Sequence, residues 1–183
     1  HPLRADIPVM LGAEGPKNVA LAAEICDGWL PSFYSPRIAG MYNEWLDEGF
    51  ARPGARRTRE TFEICATAQV VVTDDRPAIM ELMKPHLALY MGGMGAEDTN
   101  FHADVYRRMG YAEVVDDVTR LFRSDRKDEA AKVIPDELVD DSAIVGDLAY
   151  VQEQVKAWEA AGVTMMVVGA RSPEQIRDLA GLV

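Results

Sequence analysis

Ile7-Pro8-Val9-Met10-Leu11-Gly12-Ala13-Glu14-Gly15-Pro16-Lys17-Asn18 is a short apolar run that breaks at Gly12 into a glycine-bearing turn and opens directly into a helix. A strand, a phosphate-sized loop and a helix start follow one another within twelve residues. That geometry gathers free backbone N–H groups and the positive end of a helix dipole at one place, which suits an anion such as a cofactor phosphate. The turn matches neither G-x-G-x-x-G nor the Walker pattern, so the residues alone leave two readings. It is either a phosphate turn or an ordinary βα turn, with Gly15 for a positive φ and Pro16 in the first helical turn.

Outward from the turn, Val19 to Cys26 reads as an Ala-rich helix ended by Asp27-Gly28, and Trp29 to Phe33 as a second strand. Ser35-Pro36 has the signature of a helix start, and that helix runs through Met41, Trp45 and Leu46 to Gly49. Phe62 to Val72 is the clearest strand, and Thr73-Asp74-Asp75-Arg76-Pro77 opens the next helix, which Pro85 should kink. From Gly92 to Asp141 short charged helices prevail, with Asn100 and Asp136 as caps and no convincing strand; residues 96–141 read as a helical insertion in a single domain spanning 1–183. Helical periodicity returns from Leu148 to Ala161, Gly162 stops it, Thr164 to Val168 is a fourth strand, and Ser172-Pro173 caps a last helix.

Four strands alternating with helices imply an α/β fold with a parallel sheet, either a small doubly wound sheet or half of a (β/α)8 barrel. A full barrel needs about 200 to 400 residues, so 183 residues with a large insertion hold about half of one. A chain that opens with His1-Pro2 and enters a strand almost at once favours the half barrel and a start inside a longer protein.

Composition bounds the partners. At 48% hydrophobic and 27% charged residues the chain is globular, and a net charge of −11 argues against nucleic acid or an anionic membrane, leaving small molecules. Cys26 and Cys65 have no metal spacing and read as buried thiols of a cytoplasmic protein, and no apolar stretch is long enough for a membrane helix.

The run Gly-Ala-Glu-Gly-Pro-Lys-Asn-Val-Ala-Leu-Ala-Ala-Glu from Gly12 resembles the luciferase-like monooxygenase superfamily, as do Asp27-Gly28-Trp29-Leu30-Pro31 and Ala161-Gly162-Val163-Thr164. With Tyr90-Met91-Gly92-Gly93-Met94-Gly95 and Asn100-Phe101-His102, the likeness is to its branch using the deazaflavin coenzyme F420. The resemblance implies a partial (β/α)8 TIM barrel, strands five to eight, with the helical insertion before the last strand. It also implies a cofactor-phosphate turn at Gly12, Ala13, Glu14, Gly15, Pro16 and Asn18. The activity implied for the intact protein is hydride transfer between reduced F420 and a small organic substrate, with catalytic residues not placed in this chain and the chain alone poorly active. FMN is the alternative cofactor, and a cofactor-free half-barrel module the alternative role. An isolated half has two unpaired edges and an apolar face, which predicts a homo-oligomer or pairing with a missing N-terminal half.

Other residues carry paired readings. Lys17, Arg37, Arg76 and Arg171 follow strand ends and could meet phosphate or an F420 carboxylate, or be solvated charges at helix starts. The cluster Arg52, Arg56, Arg57 and Arg59 precedes a strand and reads as solvated loop on the opposite, stability face. Trp29 and Phe33 could wall a pocket or be core, and Met91 and Met94 with Gly92, Gly93 and Gly95 could form a flexible lip or a packed helix end. His86 and His102 lack partners at metal spacing and read as helix histidines, and Asp116-Asp117 and Asp140-Asp141 as solvated helix ends.

Overall fold

The computed structural model of the chain describes residues 3–96, 99–170 and 172–182. Strand β1 (Met10–Gly12) leads into helix α1 (Pro16–Ile25), and β2 (Gly28–Leu30) pairs parallel to β1 with Met10 opposite Gly28. The predicted second strand is cut to three residues, ending at Leu30, and beyond it Phe33 stands at a positive φ of 53°. Ser35 caps a short 3₁₀ turn, Pro36–Ile38, by accepting from the Arg37 N–H, and α2 (Ala39–Phe50) follows. Helices α1 and α2 pack so closely that a Cβ on Gly49 would lie 2.1 Å from the Ala20 carbonyl oxygen.

The long strand β3 (Glu63–Val72) is the spine of the sheet. Its first residues pair with β2, with Trp29 opposite Ile64, and the rest with two later strands. Asp75 caps α3 (Arg76–Ala88), which runs through Pro85 and loosens into a π-helical turn, Leu89–Gly93. Asn100 caps α4 (Phe101–Arg108) by accepting from the N–H groups of His102 and Ala103, as its sequence position predicts. Helices α5 (Ala112–Arg123), α6 (Lys127–Lys132) and α7 (Asp136–Asp140) complete the helical segment. Asp136 is the first residue of α7 and Pro135 precedes it as the cap, which shifts the predicted start by one.

A fifth strand corrects the sequence reading. Ala143-Ile144-Val145-Gly146 forms β4 directly after the helical segment and lies parallel to β3, Gln69 opposite Ala143. All four residues are buried, so the stretch shows no alternation to announce a strand. Asp147 caps α8 (Leu148–Ala160), Gly162 at φ +102° reverses the chain, and β5 (Met165–Val168) pairs with β3, Cys65 opposite Met165. Helix α9 (Pro173–Ala180) is capped by Ser172. The result is an α/β fold with a five-stranded parallel sheet, and no helix of the described residues is long and apolar enough to cross a membrane.

Two cores form. One joins α1, α2 and α8 to β2 and β3 around Trp29, Tyr34, Tyr42 and Trp158, whose ring centroids stand 5.1–6.2 Å apart. The other packs the π turn and helices α3 to α7 on the end of β3 and on β4. Against this, Ile7 and Val9 before β1 and Met165 and Val167 on β5 are exposed.

Candidate functional site: the turn after the first strand and its roof

The turn stands at the C-terminal end of β1, on the same side of the sheet as the β2–α2 connection and the helical segment. Trp29, fully buried, donates its indole N–H to the Ala13 carbonyl at 2.8 Å and so fixes the turn's inner side. Gly15 is the N-cap of α1 in extended backbone, φ −109° and ψ 159°, and no side chain caps the helix. The positive φ of the ordinary-turn reading is therefore not what Gly15 supplies. A Cβ there would meet nothing within 4 Å, so the fold does not demand glycine, and the space above the helix start is open. Pro16 holds the first helical position, and the N–H groups of Asn18 and Val19 close on the Gly15 carbonyl.

Arg108, from α4, is the residue that sequence reading missed. Its Nη1 donates to the Glu14 carbonyl at 3.2 Å, and its guanidinium lies 5.8 Å from the centre of the Trp45 ring. With the exposed Lys17 it brings a second cation to an uncapped helix N-terminus, an arrangement that favours an anion. No sequence signal joins positions 14 and 108, because only the packing of α4 over the turn brings them together.

The Glu14 side chain leaves the helix start and meets the same roof. Its Oε1 stands 2.8 Å from His102 Nδ1, close enough for an ion pair but without the alignment of a hydrogen bond. Around them Phe33, Tyr90, His102 and Tyr106 form an aromatic cluster, with Phe33 at 5.0 Å from Tyr90, 5.0 Å from Tyr106 and 6.0 Å from His102. Phe33 is thus part of this wall, whereas Trp29 belongs to the core. Burial drives the Tyr106 phenol far above its ordinary range, so it stays a neutral hydroxyl. His86 packs against Tyr90 with tilted rings 4.8 Å apart, one step further out.

The other candidates resolve into structure. Arg37 donates to Asp141 and to the Met109 carbonyl, and Asp141 also accepts from Ser35 and Tyr111. Burial pushes the Asp141 carboxyl up, but the hydrogen bonds from Arg37, Tyr111 and Ser35 outweigh it and hold the group below its ordinary value. Asp141 is therefore a buried latch between the β2–α2 connection and the helical segment, a correction to its reading as a solvated helix end. Arg76 pairs with Asp140 and donates to the Val145 carbonyl, and is likewise committed. Arg171 lies outside the described residues.

The basic cluster is not solvated loop either. Arg56 and Arg57 both reach Asp27, which is 3% exposed, while Arg52 pairs with Glu24 and Glu48 and Arg59 with Asp47. These pairs tie the 52–59 connection to α1, α2 and the start of β2. The Met-Gly stretch is packed only at its start: Met91 is buried and a Cβ on Gly92 would stand 2.5 Å from Phe122 Cβ, whereas Met94 is exposed. Asn100 Nδ2 and Thr119 Oγ1 bind the carbonyls that the π turn frees, so this segment is a fixed helix end. Cys26 and Cys65 are buried free thiols, raised by desolvation. Among the described residues no three His, Cys, Asp or Glu side chains gather where they could hold a metal.

The family model for luciferase-like monooxygenase matches residues 1–165. The whole chain is 80% identical to 53% of the Mycobacterium tuberculosis H37Rv protein named "Putative coenzyme F420-dependent oxidoreductase Rv3520c". It is 30% identical over 169 residues, 90% of this chain and 48% of the relative, to 5,10-methylenetetrahydromethanopterin reductase of Archaeoglobus fulgidus. The fold superposes on the coenzyme F420-dependent tetrahydromethanopterin reductase of Methanopyrus kandleri with a TM-score of 0.73, at 21% identity, over 96% of this chain and 48% of that one. The chain thus spans about half the length of the relatives it matches. It belongs to the luciferase-like monooxygenase family.

Proposed function

We propose that this chain is the cofactor-phosphate half of an F420-dependent oxidoreductase. The observation that carries the reading is 80% identity, along the whole chain, to a relative named for coenzyme F420. The turn supports it on physical grounds. Gly12, Ala13, Glu14, Gly15, Pro16 and Asn18 surround an uncapped helix start, the space over Gly15 is open, and Lys17 and Arg108 add positive charge. These features fit the phosphate of F420, and they fit that of FMN equally.

In the proposed protein the bound deazaflavin supplies hydride chemistry at C5 toward a small organic substrate. This chain's residues bind and orient. The α1 N-terminus holds the phosphate, Trp29 keeps the Ala13 carbonyl turned inward, and α4 covers the turn. The sheet fits strands five to eight of a (β/α)8 barrel, with β1, β2, β3 and β5 in those places, β4 as an added strand, and residues 96–141 as an insertion. The edges of β1 and β5 away from their described partners, with exposed Ile7, Val9, Met165 and Val167, would close against the N-terminal half that the relatives carry.

The test is a fluorescence titration of the chain with F420 and with FMN, repeated on Gly15→Asp, which sets a carboxylate over the helix start. Saturable F420 binding that the variant weakens by at least tenfold is the expected result. Preference for FMN would replace the cofactor assignment, and binding of neither would leave the half-barrel as a scaffold.

A further inference from the structure

Three buried side-chain atoms of the described residues have no hydrogen-bond partner: Glu14 Oε2, His102 Nδ1 and Tyr106 Oη. Buried polar atoms are rarely left unpaired, since each forfeits its hydration without return. Here all three fall in one place, although they come from two segments almost ninety residues apart. Glu14 and His102 are in contact at 2.8 Å, and Tyr106 stands one helical turn after His102 on α4, both rings meeting Phe33. Tyr106 is fully buried, and the nearby Ser142 hydroxyl is spent on the Leu138 and Val139 carbonyls. Phe33, at its positive φ, packs against both His102 and Tyr106. Backbone in this region is costly for a bulky residue and collects at ligand sites.

The chemistry of these atoms selects the ligand. Glu14 Oε2 is an acceptor and calls for a hydroxyl or N–H donor; Tyr106 Oη can donate or accept. The Glu14 carboxylate, an acceptor only, would repel a phosphate oxygen. Yet the Glu14 backbone is part of the turn assigned above to the cofactor phosphate, so its side chain reaches only a few ångströms from that group. The group within that reach of a flavin or deazaflavin phosphate, neutral and rich in hydroxyls, is the ribityl chain.

We propose that Glu14 and Tyr106 form a polyol subsite that binds the ribityl hydroxyls of the cofactor, with His102 as the residue that positions the Glu14 carboxylate. This rests on the F420 reading of the turn and extends it: phosphate and polyol are held by the main chain and the side chain of the same segment, and α4 is ordered over both.

The test separates the two readings with two ligands. F420 carries ribityl chain and phosphate; its riboside precursor, the 8-hydroxy-5-deazaflavin that ends at the ribityl chain, lacks the phosphate. Both are titrated by fluorescence against the chain and against Glu14→Met, Tyr106→Phe and Gly15→Asp, with thermal melts as a folding control. The proposal expects Glu14→Met and Tyr106→Phe to weaken both ligands by about tenfold or more, and Gly15→Asp to weaken F420 while leaving the riboside within a factor of two. His102→Gln should weaken both ligands less than Glu14→Met. If Glu14→Met and Tyr106→Phe bind both ligands as tightly as the parent while Gly15→Asp loses F420, the polyol subsite is wrong and the phosphate turn stands. If the parent chain binds neither ligand, both readings fall. A lowered melting temperature with unchanged affinities would overturn the subsite by showing that the cluster serves the fold alone.

Discussion

Removing the Asp141 carboxylate should loosen the helical segment from the sheet. Its side chain is 10% exposed and accepts from Ser35 Oγ at 3.0 Å, from Tyr111 Oη at 2.7 Å, and from the Arg37 guanidinium. Breaking a buried pair by deleting one partner costs about 3–5 kcal/mol when the other charge stays buried. Arg37 is 52% exposed, so its freed guanidinium hydrates and that cost shrinks. Ser35 is buried and loses its acceptor, and Tyr111, whose phenol burial pushes up to about 12, loses its own. The net expectation for Asp141→Ala is about 2–3 kcal/mol, or a melting temperature lower by roughly 4–12 °C for a chain of this size. Asp141→Asn, which keeps the shape but not the charge, should cost about half as much. The native carboxyl lies below its ordinary value, so its contribution is complete above that value and is lost as pH falls through the lowered one. The parent's advantage over Asp141→Ala should therefore narrow in acid. Urea unfolding from pH 7 to pH 3, with amide exchange over 101–141, measures this. A cost under about 0.5 kcal/mol at pH 7, with exchange unchanged, would refute the latch.

Three further outcomes are expected. Gly49→Ala places a Cβ 2.1 Å from the Ala20 oxygen and 2.6 Å from Ala23 Cβ, both on α1, and should destabilise by at least about 1–3 kcal/mol in urea while weakening F420 through the displaced helix. Trp29→Phe leaves the Ala13 carbonyl without its donor, which should cost about 1–3 kcal/mol and weaken F420 as the turn loosens; equal affinity would show that the indole serves the core alone. Asp27 is held well below the usual aspartate range, first by the Arg56 hydrogen bond and then by the Val9 N–H. Its contribution is complete above about 3.9 and is lost as pH falls from there through the lowered value. Arg56→Gln with Arg57→Gln should thus flatten the loss of stability between pH 4 and pH 2, as read from urea midpoints.

The path from sequence to site was open where the chemistry is local. The apolar run before Gly12, the Gly-Pro pair and the Ala-rich stretch after it give the turn and the start of α1 without outside help. Ser35, Asp75, Asn100 and Ser172 cap the turn or helices that follow them, because a side-chain oxygen and the N–H two or three residues on are neighbours whatever the rest of the chain does. Strand β4 was hidden for the opposite reason. Four residues buried on every side carry no periodicity, and Ala143-Ile144-Val145-Gly146 is a strand only because β3 offers it an edge. The arginines show the same limit, since Arg37, Arg56, Arg57 and Arg76 read alike as charges near element ends, and only the packed chain supplies Asp141, Asp27 and Asp140 as partners.

The sequence by itself therefore determined the alternation of strands and helices, the parallel α/β class, and a glycine-bearing strand–turn–helix junction at residues 12–18, all set by interactions within about one helical turn. Only the tertiary structure decided that Arg108 meets the main chain of that turn, that His102 meets the Glu14 side chain, and that Asp141 is a buried latch. These contacts join residues some thirty to one hundred positions apart, and no local propensity encodes them. They arise when α4 and the end of α7 dock against the C-terminal end of the sheet and bury apolar surface there, carrying polar side chains into reach of one another.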